Sequence, residues 1–271
     1  MRRRLDLEMV RRGLVASRTE AAAAIASGNV TVAGRPAGKP STLVARDEAI
    51  NLDGPARRFV SRGGEKLEAA LDRFAIDVTG RRALDAGSST GGFVDCLLQR
   101  GARHVLAVDV GYGQLDWRLR QDERVTLLER ANVRDLRPEA LPYIADLTTA
   151  DLSFISLRLA IPALRRCSSD GADFVLLVKP QFEAGRGRVG NGGVVRDPAV
   201  WTDVLQGVAE ACRSETLTPL NVVPSPLTGP AGNVEFLLHA RPSAGDTETP
   251  PFDEAIERSI QEAAGLAATH A

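Results

Sequence analysis

The stretch ALDAGSSTGGF, residues 83–93, sets the interpretation of the whole chain. Its first residues are apolar and end on an acid, as in a buried strand, and glycines follow at positions 87, 91 and 92. Glycine permits a sharp turn and lets a ligand approach the backbone closely. The stretch therefore predicts a strand followed by a ligand-binding loop.

The segments on both sides of this stretch alternate between helical and strand-like patterns. A helix is expected at about 64–75, and strands are expected near 82–86, 104–109, 124–128, 146–151, 173–178, 219–223 and 234–239. Such alternation is typical of an α/β fold with a doubly wound, Rossmann-like sheet of seven strands. Ligands of these sheets bind beyond the carboxyl ends of the strands, which is where the glycine loop falls.

The glycine spacing separates three candidate ligands. A dinucleotide loop has the pattern Gly-x-Gly-x-x-Gly, and a nucleotide triphosphate loop has Gly-x-x-x-x-Gly-Lys followed by Ser or Thr. The spacing here is Gly-x-x-x-Gly-Gly, and Phe93 stands where a phosphate-binding lysine would be. S-adenosylmethionine fits such a loop because its amino acid end needs a tight, polar backbone surface. The predicted contacts are Asp85, Gly87, Ser88, Ser89, Thr90, Gly91, Gly92 and Phe93.

Two further cofactor contacts are expected after later strands. Asp109 closes the segment HVLAVDV, where its carboxylate is placed to accept hydrogen bonds from two ribose hydroxyls. Asn132 follows the segment VTLLER and is expected beside the adenine. For both residues, a side chain that merely caps a turn is the alternative.

The composition indicates a folded chain outside the membrane. Of the 271 residues, 44% are apolar and 25% are charged, which is ordinary for a globular protein. Apolar runs such as FVLLV, residues 174–178, are far shorter than the roughly 20 residues that span a bilayer. The first ten residues lack the apolar core of a signal peptide, so we expect a cytoplasmic protein. Three separate cysteines predict buried thiols rather than a disulfide or a zinc site.

Charge is distributed unevenly along the chain. Residues 1–60 contain 11 Lys and Arg against 6 Asp and Glu, whereas residues 242–271 contain 1 against 6. A basic amino-terminal segment indicates a polyanionic partner such as nucleic acid, although a solvated charged face is the alternative. The same segment has helical spacing over residues 5–15, a capping box at Ser17 and Glu20, and short strand-like pieces beyond. It predicts two short helices followed by a small twisted sheet.

This first segment resembles the S4-like RNA-binding domain. The resemblance rests on the leading Arg4-Leu5-Asp6, on Ser17-Arg18 at the start of the second helix, and on GNVTVAG at 28–34. It implies that structured RNA is the partner, recognised mainly through its shape and backbone. The implied RNA contacts are Arg3, Arg4, Arg11, Arg18 and Lys39.

The resemblance also implies the domain organisation. A small α+β S4-like domain is expected over residues 1–60, with a short linker at 57–60. The α/β domain is then expected over residues 61–271.

Only three of the 34 basic residues are lysines, at positions 39, 66 and 179. Unlike arginine, a buried lysine can lose its proton, so these positions are informative. Two carboxylates, Asp151 and Glu235, lie at or within apolar strands where a charge needs a partner. We expect Lys66, Asp151, Lys179 and Glu235 to meet above the carboxyl edge of the sheet, beside the glycine loop. Ordinary ion pairs that support the strand ends are the alternative.

The order of these four residues is similar to that of the FtsJ class of RNA 2′-O-methyltransferases, and the whole chain resembles the TlyA (hemolysin A type) family. The resemblance is carried by SRGGEKL, LDAGSSTGGF, DVGYGQL, ADLSFISL, LVKPQFE and GPAGNVEFLL. It implies S-adenosylmethionine-dependent methylation of the cytidine 2′-hydroxyl in 16S or 23S ribosomal RNA, or in both. It also implies that the four residues are catalytic and that Asp151 borders the cofactor. The linker has Phe59 where the family has Trp.

The implied reaction defines roles for the four side chains. A ribose hydroxyl needs in-line placement and help in losing its proton. We expect Lys179 to be the principal base or orienting group, with Lys66 beside it. Asp151 and Glu235 are expected to hold the two lysines in position.

A glycine-rich segment is expected to contact RNA. The segment EAGRGRVGNGGVV, residues 183–195, carries Arg186 and Arg188 and has too many glycines for regular structure. We expect a mobile loop that closes on RNA beside Lys179. A disordered surface loop is an alternative of equal weight.

Three rival functions are kept. They are a non-catalytic RNA-binding protein, a membrane-active haemolysin as the family's older name suggests, and a pseudouridine synthase that carries the same first domain. The predicted partner is ribosomal RNA within ribosomal subunits, with no membrane and no metal. The sequence does not fix the oligomeric state, and we expect a monomer.

Overall fold

A computed structural model describes residues 2–15, 17–52, 58–243 and 252–269. The chain separates into two units, Met1–Ser61 and Arg62–Ala271. All three cysteines are free and buried, as expected. Among the described helices, none combines the length and the apolarity needed to cross a bilayer.

The first unit contains two helices and five short strands among its described residues. They are β1 (Arg3–Arg4), α1 (Leu5–Arg11), α2 (Arg18–Ala26), β2 (Val30–Val32), β3 (Arg35–Pro36), β4 (Leu43–Val44) and β5 (Ile50–Leu52). Strand β2 pairs with β3 and β5, and β1 pairs with β4. The predicted order of two helices and a small sheet is confirmed, but α1 ends at Arg11 rather than near residue 15. Gly13, with φ +70°, takes the left-handed conformation that ends a helix.

Local sequence explains the other boundaries of this unit. The Ser17 hydroxyl accepts a hydrogen bond from the Glu20 N–H at 3.2 Å and so caps α2. Ala33 and Gly34 both have positive φ, as a two-residue hairpin turn between β2 and β3 requires. The core of the unit is formed by Leu5, Met9, Val15, Ala21, Ile25, Val30, Val44 and Ile50.

The second unit is an α/β domain. Its helices are α3 (Gly63–Arg73), α4 (Gly92–Gln99), α5 (Trp117–Arg120), α6 (Ile161–Arg166), α7 (Pro180–Glu183), α8 (Pro198–Ser214) and α9 (Phe252–Thr269). Its strands are β6 (Arg82–Ala86), β7 (His104–Val108), β8 (Val125–Leu128), β9 (Ala145–Ala150), β10 (Ser168–Val178), β11 (Leu217–Pro224) and β12 (Phe236–Pro242). The predicted α/β class with seven strands is confirmed.

The sheet topology fixes where a ligand can bind. The strand order is β11-β12-β10-β9-β6-β7-β8, and only β11 and β12 introduce antiparallel pairs. Strand β6 has β7 on one side and β9 on the other, so the order along the chain reverses at this point. Ligands of open α/β sheets bind at such a reversal, beyond the carboxyl ends of the strands.

The sequence misplaced two strand boundaries that bear on the site. Strand β10 begins at Ser168, five residues earlier than expected, and a register irregularity between Ser168 and Asp173 accommodates the extra length. Strand β12 begins at Phe236, so Glu235 precedes the strand rather than lying inside it. The apolar residues on both sides of Glu235 had suggested a strand, yet its carboxylate is held by a partner outside the sheet.

Candidate active site

Gly87 packs closely against the backbone at the end of the neighbouring strand β9. It follows β6 with φ +82°, and a Cβ atom here would lie 2.3 Å from the backbone oxygen of Asp151. Side chains are not tolerated at such a distance, so only glycine fits. The loop therefore brings the carboxyl ends of β6 and β9 into direct contact.

A cavity of about 530 Å³ opens beside this contact. Its lining includes Gly87, Ser89, Asp109, Asn132, Asp151 and Lys179. The volume lies in the usual range for small-molecule sites. The structure thus gathers five of the predicted cofactor contacts and one predicted catalytic lysine around a single cavity.

The remaining predicted loop residues do not line this cavity. Ser88 is buried, and its hydroxyl has no hydrogen-bond partner among the described residues. The Thr90 carbonyl accepts the Asp116 N–H at 3.1 Å. Gly91 caps α4 and Gly92 begins it, while the Phe93 side chain is buried in the domain. These residues shape the loop, whereas Gly87 and Ser89 are the loop residues that line the cavity.

The Asp109 carboxylate is held by two backbone groups. Its Oδ2 accepts the Ser89 N–H at 3.0 Å, and its Oδ1 accepts the Gly111 N–H at 2.7 Å. Each carboxylate oxygen has a second lone pair, so both can accept a further hydrogen bond. Asn132 Oδ1 accepts the Arg134 N–H at 3.1 Å, so this residue caps a short turn and also lines the cavity.

Asp85 is a buried carboxyl directly below the loop. One oxygen accepts a hydrogen bond from the Thr149 hydroxyl at 2.6 Å, and the other has no partner among the described residues. Burial, together with the negative charges of Asp151 and Asp109, raises the pKa of Asp85 to about 7, against the lowering effect of Thr149. A buried oxygen without a partner at this position favours a ligand that carries a donor or a positive charge.

Lys179 and Asp151 form an ion pair at the cavity wall. Lys179 Nζ lies 2.6 Å from Asp151 Oδ1, and it donates a hydrogen bond to the Ser153 hydroxyl at 2.9 Å. Only 11% of the Lys179 side chain is exposed, so the amine is held rather than freely mobile. Asp151 and Lys179 follow β9 and β10, which are adjacent parallel strands.

Lys66 and Glu235 form a second, more deeply buried ion pair. Lys66 Nζ lies 2.5 Å from Glu235 Oε2, and less than a tenth of either side chain is exposed. Val178 pairs with Phe236, so Lys179, which follows β10, and Glu235, which precedes β12, lie at the same edge of the sheet. The four predicted residues are therefore brought to one edge as two ion pairs, with each lysine holding its own carboxylate.

In the first unit, several predicted RNA contacts bind carboxylates. Arg4 and Arg18 lie 2.9 and 3.1 Å from Asp6 Oδ2. The hydrogen bond from Arg4, opposed by burial and supported by Arg18, lowers the pKa of Asp6 to about 2. Arg11 lies 2.5 Å from Glu8, and the Arg11 hydrogen bond lowers the pKa of Glu8 to about 2. These arginines thus hold the unit together as well as lying at its surface.

Arg3 and Lys39 have no side-chain partner in the described part of the chain. Both are exposed. Arg3 lines a hollow of about 330 Å³ together with Glu8, Arg11, Val44 and Arg46. The two unpaired cations are free to meet an external anion.

The predicted glycine-rich loop forms two short 3-10 turns, Arg186–Arg188 and Asn191–Gly193. Arg188 forms an ion pair with Asp203 at 2.5 Å. The buried Asn233 side chain accepts the Val195 N–H and donates to the Gly193 carbonyl, both at 2.9 Å. The end of the loop is thus anchored next to the strand that follows Glu235.

The sequence reasoning missed three features of the site. Phe154 is 92% exposed and has φ +65°, beside the cavity. Glu183 is buried with three hydrogen-bond donors around its carboxylate. Asn233 anchors the glycine-rich loop. Phe154, Glu183 and Asn233 all lie within the quoted motifs, and their chemistry depends on contacts with other segments.

The described residues contain no cluster of three or more His, Cys, Asp or Glu side chains that could hold a metal ion. The cavity wall offers backbone and side-chain hydrogen-bonding groups and the Lys179–Asp151 ion pair. Such a set can orient a hydroxyl and move a proton.

Comparisons with known proteins point to one family. The sequence profile of FtsJ-like methyltransferases matches residues 59–242, and that of the S4 domain matches residues 3–50. A Mycobacterium tuberculosis protein named 16S/23S rRNA (cytidine-2′-O)-methyltransferase TlyA is 50% identical over 263 residues, covering 96% of this chain and 98% of the relative. The chain belongs to the TlyA family. The membership predicted from its motifs is confirmed.

Two other relatives carry the name hemolysin. Hemolysin A from Brachyspira hyodysenteriae is 37% identical over 237 residues, covering 87% of this chain and 98% of the relative. A solved structure titled as a hemolysin from Streptococcus thermophilus is 37% identical, with a TM-score of 0.81, and covers 99% of this chain and 98% of the other. The two-part TlyA architecture thus extends along nearly the whole chain.

Proposed function

We propose that this TlyA-family chain transfers a methyl group from S-adenosylmethionine to the 2′-hydroxyl of cytidine in ribosomal RNA. The observation that carries the proposal is the Lys179–Asp151 ion pair in the wall of the cavity that Gly87 borders. A methyl transferase for an alcohol needs these two elements side by side: a site for the donor, and a polar group next to the attacking oxygen.

The residues around the cavity fit S-adenosylmethionine. Gly87 and Ser89 offer backbone at close approach, and Asp109 retains lone pairs for two hydroxyls. Asp85 has a buried oxygen without a partner just below the loop, which suits the positive charge of this cofactor. When bound, the cofactor supplies a methyl group on a sulfonium, which needs no further activation.

The chain's own residues would handle the proton of the attacking hydroxyl. For the ribose oxygen to take up a methyl group, its own proton must leave. We assign Lys179 Nζ, in its uncharged form, to orient this oxygen and to accept its proton, which leaves a lysine ammonium paired with Asp151. Asp151 and Ser153 fix the position of the amine, and the Lys66–Glu235 pair supports it from the neighbouring strand edge.

The proposed substrate is ribosomal RNA of the 16S type, the 23S type or both. The name of the Mycobacterium tuberculosis relative supports both types. The match to the S4 domain and the unpaired Arg3 and Lys39 support RNA binding by the first unit. An enzyme of this kind works where ribosomes are, in the cytoplasm.

The experiment compares two lysine-to-alanine substitutions in the purified protein. Lys179→Ala should reduce transfer of labelled methyl from S-adenosylmethionine to ribosomal RNA by roughly 100-fold to 10,000-fold, because acid–base catalysis contributes about that much. Cofactor affinity measured by calorimetry should stay within a few-fold of the parent value. Lys39→Ala is the matched substitution in the first unit. It should raise the RNA concentration needed for half-maximal rate and leave the maximal rate unchanged.

Two results would refute the proposal. One is a parent protein that binds RNA but transfers no methyl group to any ribose when the marks are mapped by mass spectrometry. This result would favour the non-catalytic RNA-binding function. The other is full activity of the Lys179→Ala variant, which would remove Lys179 from the chemistry.

A further inference from the structure

We propose that Glu183 is a positioning residue that fastens the rim of the active site. The rim is defined as residues 151–158, the segment after β9. Glu183 lies at the end of α7, on the segment that begins with Lys179. This inference rests on the proposed function, since it names a residue that acts through Asp151 and Lys179.

One carboxylate gathers three donors from the rim. Glu183 Oε1 accepts the Leu157 N–H at 2.6 Å, and Oε2 accepts the Ser156 hydroxyl at 2.5 Å and the Arg158 Nε–H at 3.3 Å. Arg158 also donates to the Glu183 backbone carbonyl at 2.8 Å. Consecutive residues 156, 157 and 158 are therefore bound to a single side chain.

Burial makes these bonds strong. Only 1% of the Glu183 side chain is exposed, against 43% for Arg158. A carboxylate removed from water needs its hydrogen bonds, and a buried backbone N–H left without an acceptor is costly. The Leu157 N–H and the Glu183 carboxylate thus satisfy each other where water does not reach them.

The bound segment carries the groups that meet Lys179. Asp151 and Ser153 contact Lys179 Nζ, and the Phe154 ring lies 5.3 Å from the Phe182 ring. Phe154 has φ +65°, an unfavourable conformation for a residue with a side chain, so its loop must be held from both ends. Strand β9 holds the first end of the rim, and Glu183 holds the second.

The consequence for catalysis is geometric. Without the Glu183 carboxylate, the rim keeps its connection to β9 but loses three of the hydrogen bonds that fasten its far end to α7. Ser153 and Phe154 lie between these two points, so they would move relative to Lys179. A displacement of about 1 Å at reacting groups can reduce a rate about 100-fold.

The test uses the full chain with Glu183→Ala, Glu183→Gln and one control. Glu183→Gln keeps the volume and one oxygen for the Leu157 N–H, but it replaces the oxygen that accepts from the Ser156 hydroxyl and Arg158 Nε with an NH2 group. The control is Asp146→Ala, at the start of β9 on the opposite edge of the sheet. Asp146 also accepts a backbone N–H and an arginine, both from Arg82 at 3.2 Å.

Two measurements are made on each variant. Amide hydrogen exchange should become at least about tenfold faster over residues 152–158 in Glu183→Ala, because the acceptor of three rim hydrogen bonds, including that of the Leu157 N–H, is lost. The maximal methylation rate at saturating cofactor and RNA should fall about 100-fold in Glu183→Ala and about tenfold in Glu183→Gln. Asp146→Ala should keep the parent exchange over 152–158 and the parent maximal rate.

The proposal is overturned if the folded Glu183→Ala protein keeps the parent rate, or if its exchange over 152–158 is unchanged. It is also overturned if Asp146→Ala loses as much rate, since the effect would then reflect general stability. Should Glu183→Ala not fold, Glu183→Gln carries the same test. A parent protein without methyltransferase activity would refute the proposed function, while the exchange measurement would still decide whether Glu183 holds the rim.

Discussion

Replacing Gly87 with alanine tests whether close contact between β6 and β9 builds the cofactor site. The added Cβ would lie 2.3 Å from the Asp151 oxygen and 2.9 Å from its carbonyl carbon. Ordinary contacts are 3.4 Å or longer, so the Asp151 backbone must retreat by about 1 Å, a shift that can cost about 100-fold in rate. Under the proposed function, both cofactor affinity and the position of the Asp151 carboxylate depend on this backbone.

The stability cost has two parts. A side chain at φ +82° costs roughly 1–2 kcal/mol, and overpacking adds roughly 1–3 kcal/mol. Gly80→Ala is the matched control, because Gly80 has φ +73° but no atom within 4 Å of the added Cβ. The control should therefore lose only the first part of the unfolding free energy.

The assay is urea denaturation of both variants, followed by calorimetry with S-adenosylmethionine and by methylation of ribosomal RNA. We expect Gly87→Ala to be less stable than Gly80→Ala by roughly 1–3 kcal/mol. We also expect it to lose cofactor binding and activity, while Gly80→Ala keeps both. Equal stability of the two variants, together with normal activity of Gly87→Ala, would show that the contact is not a constraint.

Two further predictions concern stability and the glycine-rich loop. Because the folded Asp85 carboxyl has a pKa of about 7 and the unfolded one titrates near 3.8, the folded state holds a proton that the unfolded state has lost. The free energy of unfolding should thus fall with rising pH between these values, by up to about 1.4 kcal/mol per pH unit. In urea titrations, Asp85→Asn should remove this contribution to the pH dependence. An unchanged pH dependence would contradict the burial argument. Asn233→Ala removes both anchors at Gly193 and Val195, so trypsin should cleave the loop several-fold faster than in the control Asn221→Ala, whose side chain bonds only to the next backbone N–H. Equal cleavage would show that Asn233 does not hold the loop.

Much of the fold is readable from sequence because its signals are local. The apolar run before Lys179 and the glycines after Asp85 each define a strand or a turn within a few residues. The same holds for the Ser17 cap in the first unit. Patterns of this kind predicted the seven strands and the edge at which the site lies.

The pairing of charges is not local, and the sequence predicted it less well. The quartet was expected as two lysines held jointly by two carboxylates, whereas each lysine has its own carboxylate. Glu183 gave no signal at all, because its donors come from a segment about 25 residues earlier in the chain. Arg11 shows the opposite case, since its spacing of three from Glu8 is a local sign of an ion pair that could have been used.

The Lys66–Glu235 ion pair has a consequence for folding during synthesis of the chain. The partners are 169 positions apart, and Glu235 comes just before the last strand of the sheet. During translation, Lys66 leaves the ribosome long before its counter-charge has been synthesised. A nascent or truncated chain that stops before Glu235 therefore has an uncompensated amine in α3 until Glu235 and the strand that follows it are in place.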